Sequence, residues 1–220
     1  HHHPIVMPDK SETQHIKILG EIRNINSGDW NACAGDDDPF VNHAFLTALE
    51  ESGSVSAETG WMPHHLVLED ENASALAVAP LYLKNHSYGE YVFDSGWADA
   101  LYRAGGEYYP KLQVAVPFTP VTGRRLLVRQ NLTPKEQNNI QRTLLSGLIH
   151  LSKRLKISSF HITFPIEQEW QLCGELGLLQ RTDKQFHWIN DGFETFDDFL
   201  SALSSRKRKG IRKERRSVSE

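Results

Sequence analysis

Apolar side chains recur along this chain at two periods, one of two residues and one between three and four, and the switches between them predict alternating strands and helices. His15 to Ile22 reads as a first strand and Asp29 to Ala34 as a short helical turn. Asn42 can cap a helix that carries Phe45, Leu46 and Leu49 on one face and stops before Gly53. His65 to Leu68 and Ala75 to Leu83 read as strands joined by the turn-prone Glu69 to Asn72. Pro80 has no N–H to give to a ladder, so an edge, a bulge or a break is expected there. Trp97 to Ala104 fits a short helix ended by Gly105, and Lys111 to Val116 returns as a strand.

The clearest start signal is Thr133, Pro134 and Glu136: a capping hydroxyl, a proline at the first helical position and a carboxylate to close the box. Ile140, Leu144, Leu148, Leu151 and Leu155 follow at intervals of three and four, and Lys153, Arg154 and Lys156 suit the negative end. Pro134 to Lys156 should therefore be the long helix. Phe160 to Phe164 reads as a strand, Ile166 to Leu176 as a helix stopped by Gly177, and Phe186 to Ile189 as a further strand. Thr195 caps a last helix bearing Phe196, Phe199, Leu200 and Leu203, expected to run on into the basic end of the chain. Strands interleaved with helices, some joined by short turns, predict an α/β fold with a mixed central sheet flanked by helices.

Charge changes this picture only at one end. The formal net charge is -4, but Ser205 to Glu220 holds 8 of the 24 basic and 2 of the 28 acidic residues, leaving 16 minus 26, or -10, elsewhere. The body is thus a poor partner for nucleic acid, while the basic end can meet phosphate. Cys33 and Cys173 have no metal-ligand spacing, no His cluster outside the leading three suits a metal, and no secretory signal is evident. A cytoplasmic protein is expected. The longest apolar run, Ala75 to Leu83, is far short of the roughly 20 residues of a membrane span. His1 to Val6 look like a tag remnant, which leaves 7–204 as the folded unit and 205–220 as a basic linker.

The stretch from Tyr88 to Leu127 gathers Tyr88, Tyr91, Trp97, Tyr102, Tyr108 and Tyr109 among Asp94, Arg103, Lys111, Arg124 and Arg125. Rings with polar tips suit a half-wet cavity with a shaped ligand. Within it, YYPKLQVAVPFTPVTGRRLL, together with PFVNHAFLTALEESGS, SSFHITFP and QFHWIN, resembles a bacterial family of Fem-like, GNAT-type N-acyltransferases labelled peptidoglycan biosynthesis proteins. The resemblance runs from about Trp30 to the end. It implies a GNAT-like fold, a tandem chain of which this is the first unit, and transfer of an acyl or aminoacyl group to an amine of a cell-wall precursor. Acyl-CoA or aminoacyl-tRNA would be the donor of the whole protein. The GNAT pattern holds a donor pyrophosphate on a glycine-rich loop before the long helix, whereas the connection here, Pro117 to Thr133, has only Gly123. No cofactor is therefore expected on this half, and this chain alone is expected to lack turnover.

Tyr91, Tyr108, Tyr109, Lys111, Thr119, Arg124 and Arg125 are the candidates for one concave surface that takes an anionic, peptide-like ligand by forked hydrogen bonds. Lys111 has Glu107 as an alternative partner. His161 and Asp94 are the candidate bases for deprotonating an amine, although His161 also suits a bond within its layer and Asp94 a helix cap. Arg206, Arg208, Lys209 and Arg212 are the candidate contacts to RNA phosphates, with tRNA the partner the resemblance implies. Two other readings stay open: a non-catalytic module for an anionic peptide-like ligand, and an RNA-binding adaptor acting through the tail.

Overall fold

Two compact units, 1–180 and 181–220, make up the chain, and the computed structural model describes residues 14–92 and 94–219. In the first unit the strands β1 (His15–Leu19), β3 (His65–Glu69), β4 (Ala75–Ala79) and β7 (Leu127–Val128) form one sheet in the order β1-β3-β4-β7. A second sheet takes β2 (Trp61–Pro63), β5 (Leu81–Lys84), β6 (Lys111–Val114) and β8 (Phe160–Ile162), in the order β2-β5-β6-β8. All pairs are antiparallel except β6 with β8, which makes the fold a mixed α/β one.

Pro80 accounts for the division. Ala75 to Leu83 is not one strand: it splits into β4 and β5 around the residue that cannot donate. The neighbouring chain splits opposite it, at His64, whose N–H donates to Leu81 O at 2.8 Å. The third run also stops early, at Val114, and pairing with β4 resumes only at Leu127. Neither β2 nor β7 is expected from pattern, because two or three residues carry no readable period. The first strand ends at Leu19, and Ile22–Asn24 is a 3₁₀ turn.

Period-two alternation sets the layers. Leu66, Leu68, Ala77, Ala79, Leu81, Leu112, Val114 and Val128 face α4 (Pro134–Arg154), which contributes Ile140, Leu144, Leu145, Leu148 and Leu151. Leu172 and Cys173 of α5 (Glu167–Glu175) join the same core. On the opposite face of the first sheet Val67, Val78 and Leu127 pack under α1 (Ser27–Ala34) and α2 (His43–Glu51) through Trp30, Cys33, Ala34 and Leu46. The matching face of the second sheet starts apolar, with Trp61 and Tyr82, and then turns polar under the connection from Asn85 to Pro110, which carries α3 (Ser95–Arg103).

The second unit holds α6 (Phe196–Ala202) and α7 (Ser205–Ser219). The continuous helix expected from Thr195 breaks, because Leu203 is extended (φ -88, ψ 154) and the Arg208 side chain caps the freed carbonyls of Leu200, Ser201 and Leu203. Phe186 to Ile189 forms no strand: among the described strands none pairs with it.

Candidate active site

The polar face of the second sheet is built by register. Lys84 lies opposite Lys111, Tyr82 opposite Gln113, and Gln113 opposite His161, so one face presents two ammonium groups, a phenol, an amide and an imidazole across three strands. The neighbouring side chains Leu83, Leu112, Phe160 and Ile162 point into the α4 core. The covering connection lowers carboxylates onto the lysines. Lys111 Nζ donates to Glu90 Oε2 at 2.8 Å, Asp94 Oδ2 at 2.7 Å and Ser87 Oγ at 2.8 Å. Lys84 Nζ donates to Tyr88 O at 2.9 Å, stands 3.5 Å from Glu90 Oε1 and sits 3.5 Å over the Trp61 ring. Tyr108 Oη donates to Asp94 Oδ2 at 2.7 Å, Ser87 Oγ to the same oxygen at 3.0 Å, and Tyr109 Oη meets Ser87 Oγ at 2.6 Å.

Two lysines and two carboxylates thus balance inside, with Lys84, Glu90, Asp94 and Lys111 all buried. Burial penalises each charge, and the partners decide the outcome. Burial raises the Glu90 carboxyl and its two lysines only partly offset this. For Asp94 burial is outweighed by hydrogen bonds from Lys111, Tyr108 and Ser87, which hold the carboxyl below its ordinary value and keep it ionised. Burial also lowers the Lys84 ammonium to about 8 and, with the bond to Asp94, raises the Tyr108 phenol. The Gln113 amide and the Tyr82 hydroxyl are buried without a hydrogen-bond partner beside this network.

Of the expected site residues, Asp94, Tyr108, Tyr109 and Lys111 are joined directly, and His161 borders them with its ring 5.5 Å from that of Tyr108. Its Nε2 lies 3.0 Å from Ser159 Oγ. Asp94 occupies the cap position of α3 but makes no capping bond, since its carboxylate is turned to the lysine. Lys111 takes Glu90 and Asp94 rather than Glu107. Tyr91 is exposed, with a left-handed backbone (φ 57). Thr119 donates to Pro117 O at 2.9 Å.

The two arginines serve other partners and share none with the cluster. Arg124 donates to Ala34 O and Cys33 O at the end of α1 and pairs with Asp37 at 3.2 Å. Arg125 is buried, its guanidinium bonded to the carbonyls of Thr163, Arg124 and Val121. Lys84, Ser87, Glu90 and Gln113 complete the cluster without having been singled out in sequence. Lys84 had a readable signal, its phase with Tyr82 on an alternating strand. Glu90 had none, because it reaches the site from an irregular connection.

The start of α4 is already served by the chain itself. Thr133 Oγ1 accepts from Glu136 N, and the Glu136 carboxylate accepts from Thr133 N at 2.8 Å. Just upstream the Glu169 carboxylate takes Arg125 N and Leu126 N, and Gly123 N donates to Phe164 O. Two carboxylates and a carbonyl at these N–H groups do not fit the pyrophosphate of a coenzyme A donor.

A family model described as FemAB-like, peptidoglycan biosynthesis/recognition, matches residues 21–220. Among solved structures, an aminoglycoside 6'-N-acetyltransferase in complex with CoA aligns with TM-score 0.49 and 10% identity, over 84% of this chain and 99% of that one. An acetyltransferase of Trypanosoma brucei aligns with TM-score 0.44 and 11% identity, over 81% and 99%. An aminoglycoside 6'-N-acetyltransferase from Acinetobacter baumannii gives 0.44 and 14%, over 82% and 100%. No curated protein matches.

Proposed function

The chain belongs to the FemAB-like family of peptidoglycan biosynthesis and recognition proteins, and we propose that it is the first unit of an N-acyltransferase that forms an amide on an amine of a cell-wall precursor. The observation that carries this reading is the polar face on which His161 stands beside the Tyr108–Asp94–Lys111 network. Amide formation needs a base for the acceptor ammonium and fixed donors near the reacting carbonyl. In this reading His161 takes the proton, and Asp94 acts at one remove by fixing Tyr108 and Lys111. The ionised Asp94 suits that role because three donors already hold it. The donor, acyl-CoA or aminoacyl-tRNA, is assigned to the whole protein rather than to the α4 terminus of this unit.

Transfer to an amine-bearing stem peptide, followed by mass spectrometry with both donor classes, tests the reading. With a full-length protein His161→Ala should lower the rate about a hundredfold or more, the usual worth of a positioned base. An unchanged rate would remove His161 from the mechanism. A binding module for an anionic peptide-like ligand is the second reading, favoured by the self-served α4 terminus, and it predicts peptide affinity with no product from either donor.

A further inference from the structure

We propose that the turn 88–91 is a built-in occupant of the acceptor surface: its Glu90 carboxylate sits in an anion seat between the Lys84 and Lys111 ammonium groups, from which the carboxylate of an acidic peptide displaces it. The displacement rests on the reading of this face as an acceptor surface, but not on turnover.

Charge, not apolar packing, docks the stretch that carries this turn. Of the described residues in 85–107 only Glu90 and Asp94 are buried, and α3 buries none. Among the described residues the hydrogen bonds of Lys84 and Lys111 Nζ all run to this stretch, at Ser87, Tyr88, Glu90 and Asp94. A second anion can replace such a contact, whereas buried apolar area has no soluble competitor. The turn is also tied at Gly89, whose carbonyl accepts from Phe118 N at 2.9 Å.

The two carboxylates are unequally held. Asp94 accepts from Lys111, Tyr108 and Ser87 and stays in place. Glu90 accepts from Lys111 at 2.8 Å through Oε2, while its Oε1 is buried without a hydrogen bond, 3.5 Å from Lys84 Nζ. Burial raises this carboxyl, and the lysines only partly offset it. The backbone is left-handed on both sides of Glu90, at Gly89 (φ 76) and Tyr91 (φ 57). Glycine takes that conformation freely, but an exposed tyrosine holds it against its preference, and release of the turn relieves the strain.

The seat suits a free carboxylate better than a tethered one. Among the described residues Lys84 Nζ makes a single hydrogen bond, to Tyr88 O, so this ammonium has donors left for an oxygen closer than 3.5 Å. An anion that no turn restrains can bridge both ammonium groups. Next on this face of β6, two residues or roughly 7 Å along the strand from Lys111, Gln113 is buried with neither amide atom hydrogen-bonded among the described residues. A peptide group beside the carboxylate answers both its donor and its acceptor, and this pairing selects a peptide over a plain carboxylic acid.

In a calorimetric titration of the whole chain N-acetylglutamate should bind, and neutral N-acetylglutamine amide should not. Glu90→Gln keeps the size of the side chain but gives up its charge, so the turn competes less and affinity for N-acetylglutamate should rise about tenfold or more. Lys84→Met should lower it by about tenfold or more. Glutarate has the two carboxylates without the amide and should bind about tenfold less well, since it leaves Gln113 unpaired. The native chain gives a readout that needs no variant: N-acetylglutamate should speed hydrogen exchange at the Phe118 amide, whose acceptor, Gly89 O, moves with the turn. No binding, Phe118 exchange that binding leaves unchanged or slows, a Glu90→Gln chain that binds no more tightly than the native one, or equal affinity for glutarate would each overturn the proposal. None of these readouts involves transfer. Binding of this kind with no product from either donor class keeps the seat and overturns the acyltransferase reading, and product formed without displacement of the turn does the reverse.

Discussion

At the scale of single residues the buried cluster is held by compensation. Asp94 neutralises Lys111 and accepts from Tyr108 and Ser87, so its loss would leave an ammonium facing only Glu90, which Lys84 also claims. Breaking a buried pair from one side costs about 3–5 kcal/mol. Asp94→Asn should therefore lower unfolding free energy by about 3 kcal/mol in a urea titration, and Lys111→Met in the same background should recover part of it. If the two losses simply add, the pair is not coupled. Glu169 makes a pH prediction of the other sign. Burial raises its carboxyl from 4.5 to about 6 against the N–H donors that favour the ion. A carboxyl with a raised folded pKa keeps its proton longer in the folded state, so its contribution falls as pH rises from about 4.5 to about 6 and is level above. The shift corresponds to roughly 2 kcal/mol. Glu169→Gln should be less stable overall, since one carbonyl must serve two N–H groups, and should lack that slope between about pH 4.5 and about pH 6. A variant that keeps the slope would place its origin elsewhere.

At the scale of elements, what could be read in sequence was what depends on near neighbours. The box at Thr133 and Glu136 and the spacing from Ile140 to Leu151 give α4 because both act within a few turns. Thr133→Ala should cost about 1 kcal/mol, measurable as a lower urea midpoint, and Glu136→Ala should cost less than that in the Thr133→Ala background. Pro80 likewise announced a break by lacking one hydrogen. The elements that escaped notice depend on distant partners. β7 exists only where Leu127 and Val128 meet Val78 and Ala77. The strand expected at Phe186 to Ile189 had alternation but no ladder to join. The candidate site divides in the same way: Asp94, Tyr108, Tyr109 and Lys111 were near enough in sequence to be grouped, while Glu90 and Gln113 enter through register and loop closure. Arg124 and Arg125 looked like free forks for a ligand, yet each fork is spent on carbonyls of the chain.

At the scale of the molecule the order of elements repeats. In the first unit β1, α1 and α2 succeed one another, and in the second a segment without regular structure at Phe186 to Ile189 is followed by α6 and α7. That order bears on our proposal of a tandem chain: 181–220, expected from sequence to close the first unit and link it onward from residue 205, would instead open the second. A segment with exposed Phe186, Trp188 and Ile189 becomes a stable strand only when a ladder and a covering layer take its backbone and side chains. The tandem proposal predicts that a gene product continuing beyond Glu220 protects the amides of residues 186–189 from hydrogen exchange, while the chain studied alone exchanges them fast. It also predicts acyl transfer by the longer protein and none by this chain, because in this proposal the network around Lys111 would supply only an acceptor surface, while the α4 terminus is filled by Glu136. Equal exchange at residues 186–189 in both proteins, or turnover by this chain with either donor, would contradict a division of labour between two units.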